Sequence, residues 1–193
     1  MLNTPLKKIS AIVAAAFLLQ GCIAAVGTAA VVGGAVATDQ RTVNTQFDDE
    51  KLALQVSAAI NKDQQIKSEA RVLVESFQGR ILLLGQVPSD NLRTVAKGLA
   101  EGEKGVDTVY NELRVGQKIS VQQIGQDSWI TSQVKGKLLL DSRVKATDIK
   151  VFTENAEVFL VGNVTNDQAN AAAEVASKIS GVKKVVKVFK ILQ

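Results

Sequence analysis

The stretch Ile81-Leu82-Leu83-Leu84-Gly85-Gln86-Val87 returns later in the chain as Val158-Phe159-Leu160-Val161-Gly162-Asn163-Val164. Two apolar runs about 77 residues apart, each carrying its glycine at the same place, mark an internal repeat. The surroundings repeat with them. Leu52, Val56 and Ile60 recur as Ile130, Val134 and Leu138, and Gly105-Val106 with Val109 recurs as Gly181-Val182 with Val185. Two similar domains follow, each near 70 residues long.

Each copy carries the same local signals. The spacing of Leu52, Val56 and Ile60 predicts a helix with one buried stripe, with Asp48 or Asp49 as cap and, in the second copy, Asp127 or Ser128. Strands are expected at residues 71–76 and 80–87 around Phe77-Gln78-Gly79, and at 149–153 and 157–164 around Glu154-Asn155-Ala156. Links this short read as hairpins. A second helix begins near Ser89 and Asp90, or near Asn166 and Asp167, and ends by Gly102 or Gly181. Its alanines, Ala172, Ala173 and Ala176 among them, suit close packing on a sheet. A last strand at residues 106–115 or 182–191 completes the unit. The expected class is α+β: two tandem αββαβ domains, each with two helices on one face of a three-stranded mixed sheet. Domains of this size bury only ~60% of their unfolded surface, which favours packing of the copies on each other.

Ahead of the repeat, Lys7 and Lys8 precede an apolar run from Ile9 to Leu19 and then Leu19-Gln20-Gly21-Cys22. This order is that of a secretory signal peptide, and its apolar part is shorter than the roughly 20 residues a spanning helix needs. The competing reading is an uncleaved anchor, since the apolar character continues to Thr38. Gly27, Gly33 and Gly34 interrupt that extension, and each glycine costs ~1 kcal/mol in a helix interior. A signal peptide at 1–21, a tether at 22–45, domains at 46–115 and 127–193 and a linker at 116–126 make up the expected organisation.

Cys22 is the lone cysteine and histidine is absent. No disulfide forms within one chain, the commonest metal ligands are missing, and a histidine-dependent catalytic triad or an imidazole base is excluded. The chain reads as a non-enzyme with no cofactor and no metal. Without Lys7 and Lys8, 21 basic residues stand against 19 acidic ones. Residues 46–115 hold 9 basic and 11 acidic, and residues 116–193 hold 11 and 7, so the second half is the positive one. Lys183, Lys184, Lys187 and Lys190 read as a solvated strand edge, and a secreted chain rarely meets nucleic acid.

Three motifs carry a family resemblance. Ile81-x-Leu83-x-Gly85-x-Val87, Arg93-x-x-Ala96 and Gly105-Val106-x-x-Val109-x-Asn111-x-Leu113-x-Val115 resemble the BON domain. The second copy keeps Gly162, Val164, Ala173 and Gly181-Val182-x-x-Val185, with Asn170 or Ala171 in the arginine's place and Lys187 in the asparagine's. Leu19-Gln20-Gly21-Cys22 resembles the bacterial lipobox, whose cysteine is acylated. Paired BON domains behind a lipobox resemble the dual BON-domain outer-membrane lipoproteins of Gram-negative bacteria. Paired BON domains also occur in a soluble periplasmic relative without a lipobox, so Cys22 separates the two. The resemblance implies a lipid-anchored, periplasm-facing protein that binds phospholipid, supports outer-membrane integrity and is associated with division sites. Ile23 and Ala24 after Cys22 lack the aspartate of an inner-membrane retention signal.

Positions that differ between the copies point to the site. On the second copy's first helix, Trp129, Gln133, Gly136 and Leu140 gather about 140° from the Ile130, Val134 and Leu138 stripe at ~100° per residue, and Leu139 borders them. The first copy has Lys51, Gln55, Ala58, Lys62 and Asn61 there. With Lys135 and Lys137 beside it, this second apolar face has the makeup of a membrane-interface site for anionic phospholipid. The competing reading packs Trp129 on the first domain or on the linker. The alternative function is a protein-interaction adaptor for envelope or outer-membrane protein assembly, with outer-membrane or division-site proteins as partners.

Overall fold

A computed structural model describes residues 43–192, with side chains from residue 48 onward; Cys22 and the expected tether up to residue 42 lie outside the described residues, and residues 43–45 of it belong to the first helix. The first copy contains α1 (Val43–Ile60), α2 (Gln64–Glu69), β1 (Arg71–Phe77), β2 (Arg80–Val87), α3 (Asp90–Glu101), β3 (Thr108–Asn111) and β4 (Arg114–Val115). The second contains α4 (Val121–Leu140), β5 (Ile149–Glu154), β6 (Glu157–Val164), α5 (Asn166–Ser177) and β7 (Lys184–Ile191). In each, the hairpin strands pair antiparallel and the last strand joins β2 or β6 in parallel. The mixed sheets of the α+β expectation are present.

Both first helices start earlier than the aspartates suggested. Ser120, not Asp127 or Ser128, caps α4 by accepting from the Gln123 amide at 3.2 Å, so α4 begins within the stretch read as linker. Asp49 and Asp127 are instead buried inside their helices and brace the hairpins. Asp127 accepts from the Asn155 amide at 2.7 Å and the Ala156 amide at 2.8 Å. Asp49 accepts from the Ser76 hydroxyl at 2.9 Å and the Gly79 amide at 3.4 Å. A carboxylate takes two donors at a turn whose residues have positive φ, a conformation that leaves those amides without ladder partners.

The motif glycines have a steric cause. A Cβ on Gly85 would collide with the carbonyl oxygen of Arg71, and one on Gly162 with that of Asp148. Gly85 also sits at φ +117, where side chains are strained. The last strand differs between copies. In the first, the Asn111 side chain donates to the Arg93 carbonyl at 2.9 Å and accepts from the Leu113 amide at 3.4 Å, and the strand breaks between β3 and β4. In the second, Lys187 reaches Asn170 at 3.1 Å and β7 runs unbroken.

Ile81, Leu83 and Val87 of β2 face α1 and α3, and Val158, Leu160 and Val164 of β6 face α4 and α5, building one core per copy. The intervening residues form a third core. Phe77, Leu82 and Leu84 meet Phe159, Val161 and Val188, so the two sheets pack face to face with the helices outside. Each such side chain contributes ~1.5–3 kcal/mol when fully buried, far more than the polar pairs around them. Those pairs set the register: Arg71 and Gln86 both reach Glu154, at 3.0 and 2.9 Å, and Arg80 reaches Asn163 at 2.7 Å.

Candidate membrane-facing site

With both sheets covered on both faces, the outer sides of the helices and the sheet edges are what remains for a ligand. On α4 the buried side is Asp127, Ile130, Val134 and Leu138. The opposite side carries Trp129, Gln133, Gly136 and Leu140 in a narrow stripe, since the steps of four, three and four return to the same angle at ~100° per residue. Trp129 is 52% exposed, Leu139 61% and Leu140 82%. Lys135 and Lys137 are exposed on the two flanks of the stripe. The seven residues singled out on this helix are thus all brought to one exposed surface about 16 Å long, at 1.5 Å rise per residue. Among the described residues, Leu54 is the large hydrophobic comparably exposed on α1, and it stands alone there.

Among the described residues, Gly136 has no neighbour within 4 Å of where a Cβ would be, so none of them requires a glycine at this place in the helix. Beyond the C-terminal end of the stripe, Arg143 is engaged by Asp141 at 2.7 Å and by Glu174 at 2.9 Å. Its guanidinium, by hydrogen bonding, pulls the half-buried Asp141 carboxyl down to about 2. On the Lys135 side, Glu75 of β1 is affected by Lys150 and Lys135, yet burial outweighs them and raises its carboxyl above the usual range. No metal-binding cluster of acidic side chains occurs among the described residues, and none of their helices is long and apolar enough to cross a membrane.

Sequence reasoning did not identify the residues of the seam. Gln86, Glu154, Glu157, Arg71, Arg80, Arg114 and Asn163 carry no pattern in the sequence that assigns them to contacts between the copies. The available signal was the uninterrupted Ile81-Leu82-Leu83-Leu84 run. A strand covered on one face alternates, and one covered on both faces does not.

Comparison with known proteins agrees with this architecture. The model of the BON domain matches residues 48–117 and again 126–193. Over 192 residues, all of both chains, the sequence is 57% identical to the outer membrane lipoprotein DolP of Haemophilus influenzae. It is 51% identical over 155 residues to the 21 kDa hemolysin of Actinobacillus pleuropneumoniae, covering 80% of each chain. It is 32% identical over 156 residues to the osmotically-inducible protein Y of Escherichia coli, covering 79% of this chain and 77% of that one. The motif glycines, the mixed sheets and the two matched segments lead to one conclusion: this chain belongs to the BON domain family and carries the domain twice.

Proposed function

We propose that this chain is an outer-membrane lipoprotein, anchored through acylated Cys22 and facing the periplasm, whose second BON domain binds anionic phospholipid through α4 and thereby supports outer-membrane integrity without catalysis. The DolP relative supports the compartment and the anchor. The observation that carries the lipid reading is the asymmetry of the repeat. Trp129, Leu139 and Leu140 are exposed on α4, where α1 has Lys51, Asn61 and Lys62 at the matching places.

The energetics fit a peripheral contact. Tryptophan suits the boundary between headgroups and acyl chains, having a large apolar body and one polar tip. Lys135 and Lys137 each add ~1 kcal/mol near an anionic leaflet. An acyl anchor raises the local concentration of the patch at the membrane, so modest affinity suffices. Flotation of the mature chain carrying Cys22→Ser with anionic liposomes tests the reading. Co-flotation that neutral liposomes do not reproduce supports it. Absence of lipid binding leaves the patch as a protein-docking face.

A further inference from the structure

A groove of about 390 Å³ runs along one flank of α4, between that helix, the turn at Ala146–Asp148 and β5. Six of its nine lining residues are apolar, Leu138, Leu139, Ala146, Ile149, Val151 and Phe152, and Lys135, Thr147 and Lys150 complete it. A mostly apolar lining with a few polar groups, in a volume of ~300–1,000 Å³, is the makeup of a small-molecule site. Leu139 and Lys135 also border the Trp129 stripe, so the groove adjoins the surface that the membrane reading places against lipid.

The repeat again serves as a control. Counted from the matched pairs Ile60 with Leu138 and Gly85 with Gly162, Leu139 stands where the first copy has Asn61, Phe152 where it has Glu75, and Lys135 where it has Ser57. Two apolar side chains and one exposed cation are thus particular to the second groove. The cavity at the matching place in the first copy includes the polar Asn61, Arg71 and Lys118, and the chain itself brings Ile119 and Ile124 to it. Among the described residues, no such segment covers the second groove, which is lined by α4, the turn and β5. Lys150 is turned to the seam: its ammonium lies 6.0 Å from the centre of the Phe77 ring and acts on Glu75 more strongly than Lys135 does. Lys135 is the exposed cation at the groove's rim.

We propose that the groove between α4 and β5 takes up one acyl chain of a phospholipid, its methylenes on Leu139, Val151 and Phe152 and its phosphate on Lys135, so that the second domain holds a single lipid molecule as well as resting on the leaflet. The inference deepens the membrane reading of α4 and rests on it. A phospholipid is the ligand whose two ends match the two kinds of residue particular to the second groove. Each methylene removed from water there contributes ~0.8 kcal/mol. The path is short, because Leu139 belongs to both the stripe and the groove and a chain leaving the leaflet at the stripe meets it first. β5 is an edge strand, so a strand-forming peptide is the competing occupant, and the experiment includes one.

The experiment follows backbone amide resonances of the mature Cys22→Ser chain while dihexanoyl phosphatidylglycerol is added below its micelle-forming concentration, with deacylated glycerophosphoglycerol and a short peptide of alternating valine and threonine as controls. Saturable shifts at residues 138–139 and 146–152 are expected with the lipid alone. Thr147→Trp, which fills the groove from its turn, should weaken binding at least about tenfold, and Trp129→Glu, outside the groove, should leave it unchanged. If Thr147→Trp lowers the melting temperature, Leu139→Asn, which restores the first copy's residue at an exposed position, provides the same reading. Absence of shifts, equal shifts with glycerophosphoglycerol, shifts confined to the Trp129 stripe, or binding that both groove variants leave intact overturns the proposal. Shifts of the β5 amides by the peptide but not by the lipid also overturn it and make the groove a peptide site. Liposome flotation of the same chain is read separately: flotation without binding of the monomeric lipid removes the groove and leaves the membrane reading, and binding without flotation does the reverse.

Discussion

Arg114 of the first domain grips Glu157 of the second with two parallel hydrogen bonds, Nε to Oε1 at 3.1 Å and Nη2 to Oε2 at 2.7 Å. The pair sits at the rim of the apolar seam, with Glu112 accepting from the same guanidinium at 3.0 Å and Lys184 3.8 Å from Glu157. Seven residues before its glycine motif ends, the second repeat thus meets the last strand of the first. The hydrogen bond from Arg114 holds the Glu157 carboxyl below its ordinary 4.5. A carboxylate depressed in the folded state contributes stability that is complete above its unfolded value and is lost as pH falls through the folded one. Glu75 runs the other way, since burial raises it, and its contribution is lost as pH rises. Melting temperature followed downward from about pH 5 should therefore fall less in Glu157→Gln than in the parent, with Glu75→Gln as the background. Near neutral pH, Glu157→Gln should cost about 1 kcal/mol, as expected for a partly exposed pair. An unchanged acid profile would remove Glu157 from the seam's energetics.

Membrane binding should depend on Trp129 and not on its counterpart. Trp129→Glu removes an interfacial aromatic and adds a charge repelled by anionic lipid, so the partition constant should fall at least about tenfold, or ~1.4 kcal/mol. Leu140→Glu should act similarly and Lys51→Glu little. Binding should also weaken with salt, as screening shortens to ~3 Å at 1 M. Flotation across these variants, with circular dichroism to verify the fold, checks the set.

Gly136→Ala should raise stability by up to ~1 kcal/mol, because an exposed glycine in mid-helix gives up that much to alanine and open space surrounds the position. Thermal melting measures it. A loss of stability would show that the backbone there is more constrained than its surroundings indicate.

Gly162→Ala should be severe. The new methyl meets the carbonyl of Asp148 across the β5–β6 pair, and backbone on both sides must shift, a cost of several kcal/mol where neither strand can yield. Loss of cooperative unfolding or of soluble yield is the expected readout.

Cys22→Ser in the full precursor should abolish acylation and release the chain from the outer membrane. Cell fractionation with mass spectrometry of the N-terminus reads this. Retention of the serine variant in the outer membrane would show that the protein domains suffice for attachment.

Much of this protein was legible in its residues alone. Spacings such as Leu52, Val56 and Ile60, the paired glycines and the echo between copies determine local structure through short-range sterics and periodic burial, and the same comparison between copies drew attention to Trp129 and Leu140. Asp49 and Asp127 show where that reading stops. An aspartate beside a helix start resembles a cap, and only the hairpin folded back onto it turns it into a buried acceptor. The seam likewise belongs to tertiary structure. Gln86 and Glu154 stand 68 residues apart in the chain, and their pairing exists because two sheets, each with a second apolar face, had no cheaper way to remove those faces from water than to cover each other.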